Sequence, residues 1–306
     1  MGRYIGKRLL QGVVVIVGVT IVVFVVTRMI GDPVRVMLPI EATPEQRAAF
    51  AKQIGFDRSI PVQFVDFIGD LARFDFGESL WQRRPALDVV TEHLPRTFQL
   101  VGAGMLLGVL LSVPLGVIAA LRPGSVRDRL TVTSSLLGLS IPQFWLGLIF
   151  IVVFAVQFKW FPTSGTGTFK HLVLPALTMA LPISGRLTMM VRSSMIDELN
   201  TQYIRTAKAK GLPYRRTVGF HALRNAAVPF VSLAGWEGIR ALAGYAVVIE
   251  TVFAWPGVGF LALESIERQD LILLQAIVFV IAIIVVLFNI GIDIAYKAID
   301  PRIKLT

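Results

Sequence analysis

Long apolar runs separated by shorter polar segments form the dominant pattern of this chain. A helix needs roughly 20 predominantly apolar residues to cross the hydrocarbon core of a bilayer, and six runs are long enough to do so. They extend over about Leu9 to Ile30, Phe98 to Leu121, Leu130 to Phe158, Leu172 to Val191, Ala226 to Val252 and Leu271 to Ala295. The pattern therefore predicts an all-α integral membrane protein with six transmembrane helices.

Two of these runs contain polar interruptions. The fourth contains Pro175, Pro182 and Arg186, and the fifth contains Glu237 and Arg240. Composition still favours a membrane protein, because 55% of the residues are hydrophobic, 16% are charged and the mean hydropathy is +0.70. A soluble domain of this size rarely has such values. The first run is longer than the apolar part of a signal peptide and has no small-residue cleavage pattern after it, so we interpret it as a span.

The longest polar segment, residues 31–97, follows the first span and is expected to fold. Its helix signals are Thr43 as N-cap, Pro44 at the first helical position, Gln46 as capping-box partner and Gly55 as terminator. Residues 61–77 then repeat apolar positions at helical spacing. We expect a small extracytoplasmic cap, either a lid on the span ends or a docking surface for an external partner. The chain thus divides into residues 1–30, 31–97 and a five-span core, 98–306.

Lysine and arginine are concentrated in alternate connecting segments. The two termini and the segments 122–129 and 192–224 hold many of them, whereas the opposite short loops hold only Lys159, Lys170 and Arg268. The positive-inside rule therefore places both termini and the 192–225 loop in the cytoplasm. The net charge of +10 reflects this topology, so we expect no nucleic-acid partner. With no cysteine and three scattered histidines, the chain is expected to hold no metal.

The most basic stretch of the chain, residues 205–229, lies in the predicted cytoplasmic loop and reads RTAKAKGLPYRRTVGFHALRNAAVP. Thr201 or the preceding Asn200 can cap a helix of about nine residues. Gly211 stands where a left-handed C-terminal residue is needed, and Pro213 prevents the helix from continuing. The loop is therefore predicted to contain a short, capped, positively charged helix.

Two functions fit this short helix. Tyr203, Ala207 and Gly211 lie four apart and form one stripe with small side chains, while Arg205 and Lys208 project elsewhere. Such a helix can insert into a groove of a partner protein, with its cations at an acidic rim. It can also rest on anionic lipid headgroups.

The sequence RTAKAKG, followed by HALRNAAVP, resembles the cytoplasmic coupling segment of ATP-binding cassette (ABC) importer permeases of the peptide/nickel branch, first-permease type. Other stretches resemble that branch in the same order: YIGKRLLQ, GDPV, FDFGES, HLVLPALTMALP, VFAWPGVG and IDPRIK. The resemblance implies the type I ABC importer permease architecture, with the coupling loop at about 192–225. It also implies the cytoplasmic membrane of a bacterium or archaeon.

The general family pattern of Glu-Ala-Ala, three residues and Gly falls on Arg205, Thr206, Ala207 and Gly211, and Arg224 stands where many relatives have proline. Arg205 and Thr206 depart from the general pattern, which puts in doubt any role for a glutamate at the helix start. The resemblance implies that coupling to an ATPase involves Tyr203, Arg205, Thr206, Ala207, Lys208, Gly211 and Arg224.

The chain lacks the GxxxxGK[ST] pattern that cradles nucleotide phosphates, so it is not expected to be the ATPase, to bind a cofactor or to contain catalytic residues. The resemblance implies that two separate subunits bind ATP and Mg²⁺. It further implies a homologous second permease, with the translocation path between the pair, and an extracytoplasmic substrate-binding protein. Membrane lipid is the remaining expected partner.

Charged residues inside spans usually face protein or a water-filled cavity, because insertion into lipid costs at least about 2.5 kcal/mol. Glu237 and Arg240, three apart, can neutralise each other, and Arg186 is a further candidate. Together they either line a path for peptides, which carry both an amine and a carboxylate, or form a structural ion pair.

The overall reading is an importer permease for di- or oligopeptides. The open alternatives are the same importer class for glutathione, nickel chelates or other small solutes, and a membrane anchor or receptor that recruits a cytoplasmic partner.

Overall fold

The computed structural model describes residues 2–30, 38, 42–53 and 57–299, and the regular structure of this part is helical. The helices are α1 (Gly2–Ile30), α2 (Pro44–Gln53), α3 (Ile60–Ala72), α4 (Ala86–Leu121), α5 (Val126–Ser140), α6 (Gln143–Phe150), α7 (Phe169–Leu199), α8 (Gln202–Ala209), α9 (Tyr214–Arg216), α10 (Leu223–Arg240), α11 (Ala246–Val252), α12 (Val258–Glu267) and α13 (Leu271–Ile299). The described part of the chain also contains three π-helical segments. The first, Ile151–Gln157, extends α6; the second, Thr217–Ala222, joins α9 to α10; and the third, Ala241–Tyr245, joins α10 to α11.

Four segments in the described part of the chain are long and apolar enough to cross a membrane: Gly6–Val26, Ala86–Leu121, Phe169–Leu199 and Leu271–Ala295. A fifth is formed if α5 and the α6 segment count as one span, but these two are bent by 101°. In the structure the predicted third span is therefore broken. The break falls at Pro142, which has no backbone N–H for a helical hydrogen bond.

The predicted fifth span lies in the helical stretch from α10 to α11, which is not among these candidate segments. Its helical conformation agrees with the sequence prediction. Arg224, Glu237 and Arg240 all lie in α10 and reduce its apolar character. Of the three, Glu237 is fully buried, so polar contacts must offset the burial of its charge.

The chain divides into two compact units, the first comprising Met1–Pro95 and Gly257–Val286. In this unit the predicted capping box is confirmed: the Thr43 N–H donates to Gln46 Oε1 at 2.9 Å, and the Gln46 N–H donates to Thr43 Oγ1 at 3.3 Å. Gly55, the predicted terminator, lies outside the described residues. The ring of Phe24 on α1 packs against Phe64 and Phe67 of α3, with centroids 5.1 and 5.4 Å apart.

Helix α4 begins at Ala86, well before the predicted start of the second span, and its first turns help to form the core of the first unit. Buried residues from α4, α12 and α13 make up this core: Ala86, Val89, Val90, Val258, Leu261, Leu273, Ala276 and Ile277. Next to it, the buried Asp270 side chain accepts hydrogen bonds from the Ser79 hydroxyl at 2.6 Å and the Trp81 N–H at 3.2 Å. The folded segment after the first span is therefore built partly from residues close to the C-terminus.

The second unit comprises Arg96–Pro256 and Leu287–Thr306, and α7 is its most buried span. Helix α7 packs closely on α4, because Cβ atoms added at Gly104, Gly108 and Gly116 would lie 2.7, 2.9 and 2.6 Å from its side chains. Small residues commonly allow such close approach between membrane helices. The burial of α7 explains why its apolar character is weaker than that of the other spans.

Candidate functional site

The predicted helix of the cytoplasmic loop is α8, and its C-terminus is built as expected. Gly211 has φ +77°, the left-handed conformation that glycine adopts without strain. The Gly211 N–H donates to Lys208 O at 3.0 Å, and the Leu212 N–H donates to Ala207 O at 3.2 Å. At the other end, Thr201 has the extended backbone of an N-cap, but its hydroxyl donates to Glu198 O at 2.6 Å and does not cap α8.

A single apolar side chain anchors α8. Ile204 is fully buried in a cluster that α4, α7 and the start of α10 provide. The other buried members are Ala120, Val191, Met195, Val218, Ala222 and Ala226. Tyr203, a member of the predicted stripe, is 40% exposed, and Ile204, which the sequence reasoning did not single out, takes the buried position. Hydrophobic periodicity over eight residues with one large aliphatic side chain was too short a signal to identify this anchor.

Tyr203 ties α8 to both neighbouring helices. Its hydroxyl donates to the carboxylate of Glu198 at the end of α7 and accepts a hydrogen bond from Asn225 Nδ2 of α10 at 2.8 Å. Partial burial, together with the Glu198 contact, raises the pKa of Tyr203 above its ordinary value. The hydroxyl thus stays protonated at neutral pH and available as a donor.

The remaining loop residues singled out by sequence form the outer surface of α8 and its surroundings. Arg205, Thr206, Lys208 and Gly211 are exposed, and Ala207 is half-buried. Arg224 is also exposed, and its guanidinium carbon lies 5.8 Å from the centroid of the Phe220 ring. The structure therefore presents a short, positively charged helix that is fixed at its base and open to a partner.

A further ion pair, which sequence reasoning missed, joins α5 to α7. Arg192 contacts both carboxylate oxygens of Asp128, with Nη2 to Oδ2 at 2.8 Å, and the Gly124 N–H donates to the same carboxylate at 2.8 Å. Bidentate contacts of this kind fix the relative orientation of both side chains. No local pattern indicates this pair, because the two residues are 64 positions apart along the chain.

The three charged residues predicted inside spans do meet. Glu237 is fully buried, and its Oε1 lies 2.7 Å from Arg186 Nε and 3.4 Å from Arg240 Nη1. The Arg186 Nε–H is not aligned with this oxygen, so their contact is an ion pair without a hydrogen bond. Arg186 Nη2 also donates to the Tyr245 hydroxyl at 2.8 Å. Arg186, not the neighbouring Arg240, is therefore the closer partner of Glu237, and Tyr245 is a member that the sequence did not reveal.

These two groups of residues are separate but share the same helices. Within the described residues, no hydrogen bond or ion pair joins the loop set to the charged set, and no cluster of three metal-ligating side chains was found. Helix α7 carries Arg186 and ends beside α8, and α10, which packs on α7, carries Glu237 and Arg240. The loop set and the charged set are therefore linked through the packing of α7 on α10.

Comparisons with known proteins identify the family of the chain. Residues 112–305 match the family "Binding-protein-dependent transport system inner membrane component", and residues 1–101 match the N-terminal component of such membrane proteins. The chain is 36% identical to the oligopeptide transport system permease protein AppB of Bacillus subtilis (strain 168), over 99% of this chain and 100% of AppB. It is 34% identical to the glutathione transport system permease protein GsiC of Escherichia coli (strain K12), over 99% of each.

A solved structure, the inward-facing MetNI methionine ABC transporter, shares the fold with a TM-score of 0.58 at 20% identity, over 69% of this chain and 96% of that chain. The chain therefore belongs to the family of binding-protein-dependent transport system inner membrane components, as a multi-pass permease subunit of an ABC importer that works with separate ATPase subunits and a binding protein and is not itself an ATPase.

Proposed function

We propose that this chain imports di- or oligopeptides and that α8 couples ATP hydrolysis in the separate subunits to alternating access of the transport path. The observation that carries the proposal is the way α8 is held: Gly211 terminates it, Ile204 anchors it in a buried cluster, and most of its other side chains are exposed. A helix held in this way moves as a rigid body. A flexible loop would change its own conformation when the ATPase subunits move, and would not pass that movement on to the spans.

The contacts of α8 give a route for the movement. Tyr203 joins it to the last turn of α7 and the first turn of α10, and Ile204 packs among residues of both. Changing a two-state equilibrium from 1:99 to 99:1 requires about 5.5 kcal/mol of differential binding. Closure of the ATPase subunits on the exposed surface of α8 is the proposed source of that free energy. Tyr203, Arg205, Thr206, Ala207, Lys208, Gly211 and Arg224 are the residues assigned to this coupling.

The proposal of a peptide cargo rests on the relatives. Two proteins that align over nearly the whole chain are named as permeases for oligopeptides and for glutathione, which is itself a peptide derivative. The charged cluster of Arg186, Glu237 and Arg240 is proposed to line the path. Glutathione, nickel chelates and other small solutes remain alternative cargoes for the same importer.

The full assembly is proposed to contain a homologous second permease, two ATP-binding subunits and an extracytoplasmic binding protein. Six spans are proposed for this chain, with α5 and α6 as a broken third and α10 with α11 as the fifth, and with both termini in the cytoplasm. The positive charge of the α8 loop supports that orientation.

Affinity purification of the tagged chain from its native membrane in mild detergent tests the proposal. We expect a second multi-span protein and P-loop ATPases to co-purify, and the preparation to hydrolyse ATP and, in proteoliposomes with its binding protein, to take up peptides. Recovery of the chain alone, or with a partner that is not an ATPase, would instead support a membrane anchor or receptor. Uptake of another solute in place of peptides would change the cargo but not the mechanism.

A further inference from the structure

The charged cluster on α7 and α10 leaves only one sign of charge accessible. Glu237 is fully buried, and its Oε1 lies between the guanidinium groups of Arg186 and Arg240. The arginine side chains are 28% and 54% exposed, respectively. Two guanidinium groups and one carboxylate leave a net charge of +1. The carboxylate of Glu237 therefore offers no accessible negative charge at this cluster.

Arg240 is the more accessible of the two cations and the less constrained. Arg186 is held by Glu237 at 2.7 Å and by the Tyr245 hydroxyl at 2.8 Å. Arg240 has the longer contact with Glu237, at 3.4 Å. In a longer, partly exposed ion pair, the guanidinium group more readily exchanges its carboxylate partner for another carboxylate. Glu237 and Arg186 thus form a fixed base from which the Arg240 guanidinium extends.

The charge of Arg240 favours a position facing a water-filled cavity over one facing lipid. A charged side chain that faces hydrocarbon is strongly unfavourable, so intramembrane charges usually face protein or a water-filled cavity. Trp236, four residues before Arg240 on the same helical face, is 58% exposed, and Ala243, three residues after it, is also exposed. The exposed surface therefore extends along the helix on both sides of the cation.

We propose that Arg240, positioned by Glu237 and Arg186, binds a carboxylate group of the cargo as it crosses the membrane. The planar guanidinium can hold a carboxylate through two parallel hydrogen bonds, which a lysine in its place could not. The inference rests on the proposed transport function and adds to it a chemical preference at one point of the path.

Cysteine labelling tests this site without knowledge of the cargo, because the chain contains no natural cysteine. The assembled complex carrying A243C is treated with two membrane-impermeant thiosulfonates, sulfonatoethyl (anionic) and trimethylammonioethyl (cationic). Rates are followed on this chain by mass spectrometry and normalised to a free thiol. We expect the anionic reagent to be favoured about tenfold, since its charge passes close to Arg240, and the preference to vanish in A243C/R240Q. L110C, on an apolar exposed stripe of α4, is the control expected to resist both reagents.

Each other labelling result overturns the proposal. No reaction at A243C means that lipid or the second permease covers this face, and equal rates mean that another carboxylate already neutralises Arg240. A second arm uses trialanine and its C-terminal amide as protecting agents. Protection of A243C by trialanine alone is the expected result, whereas equal or absent protection contradicts a carboxylate site. These results do not depend on ATP-driven uptake, so failure of the site and failure of the proposed transport function remain distinguishable.

Discussion

Two regions of this chain carry charge in opposite ways. In the cytoplasmic loop, Arg205 and Lys208 project into water from α8, and a single buried aliphatic side chain, Ile204, holds the helix. Among the spans, Glu237 is completely buried, and two arginines and a tyrosine from α7 and the α10 region surround it. The comparison shows that the charges of α8 are stabilised by water, whereas the buried carboxylate of Glu237 is stabilised by neighbouring side chains.

The largest effect is expected from E237Q. Removing the carboxylate leaves two guanidinium groups close together without a counter-charge, and breaking a buried pair typically costs about 3–5 kcal/mol. The apparent melting temperature of the purified complex should fall by several degrees. E92Q is the matched control, because its pair with Arg84 at 3.0 Å is exposed and should contribute at most about 1 kcal/mol. Equal shifts in the two variants would show that the cluster is not a stabilising element.

A somewhat smaller and more local effect is expected from I204A. Truncating a buried isoleucine costs about 2–4 kcal/mol, which is enough to release α8 from its base while the spans remain folded. Trypsin should cleave the complex faster at Lys208 and Lys210, and ATP-driven uptake should decrease. The conservative change I204V should cost only about 1 kcal/mol of stability and leave the rate of trypsin cleavage and the uptake nearly unchanged. Unaltered proteolysis of I204A would mean that other contacts hold the helix.

The smallest effect is expected from the Tyr203 hydroxyl, which should contribute about 1 kcal/mol. Because the pKa of Tyr203 is raised on folding, this contribution is fully present below the ordinary tyrosine pKa, near 10. It is lost as the pH rises through the raised value. Melting curves between pH 8 and 11 should therefore give a higher melting temperature for the wild type than for Y203F at pH 8. The two melting temperatures should converge towards pH 11. Y214F, which removes an exposed hydroxyl of α9, is the control; a constant gap for Y203F would contradict the assignment.

The sequence predicted two of the helix termini better than the charged cluster, for physical reasons. Caps act over three or four residues, so the Thr43–Gln46 box and the left-handed Gly211 could be read directly. The pairing of Arg186 with Glu237 depends on the packing of α7 on α10 and is not encoded in local spacing. Tyr245 and the Asp128–Arg192 pair were missed for the same reason.

The span prediction shows a similar limit. Hydropathy located the apolar run at residues 130–158, but it carries no information on the angle of 101° at which the structure bends there. Proline at 142 was visible in the sequence, yet proline is frequent in membrane helices and does not by itself specify a break. The size of the bend is set by the tertiary packing of α5 and α6.

The most direct test of the central claim, that α8 must be rigid to couple the chain to its ATPase, is the ratio of substrate imported to ATP hydrolysed in complexes carrying G211V and G211N. A Cβ at position 211 meets no atom within 4 Å, so both variants change backbone strain and not packing. Valine at positive φ costs roughly 1–2 kcal/mol, whereas asparagine tolerates this conformation. The account predicts that G211V assembles and inserts but loses most uptake per ATP, while G211N stays close to wild type. Full coupling in G211V would contradict it.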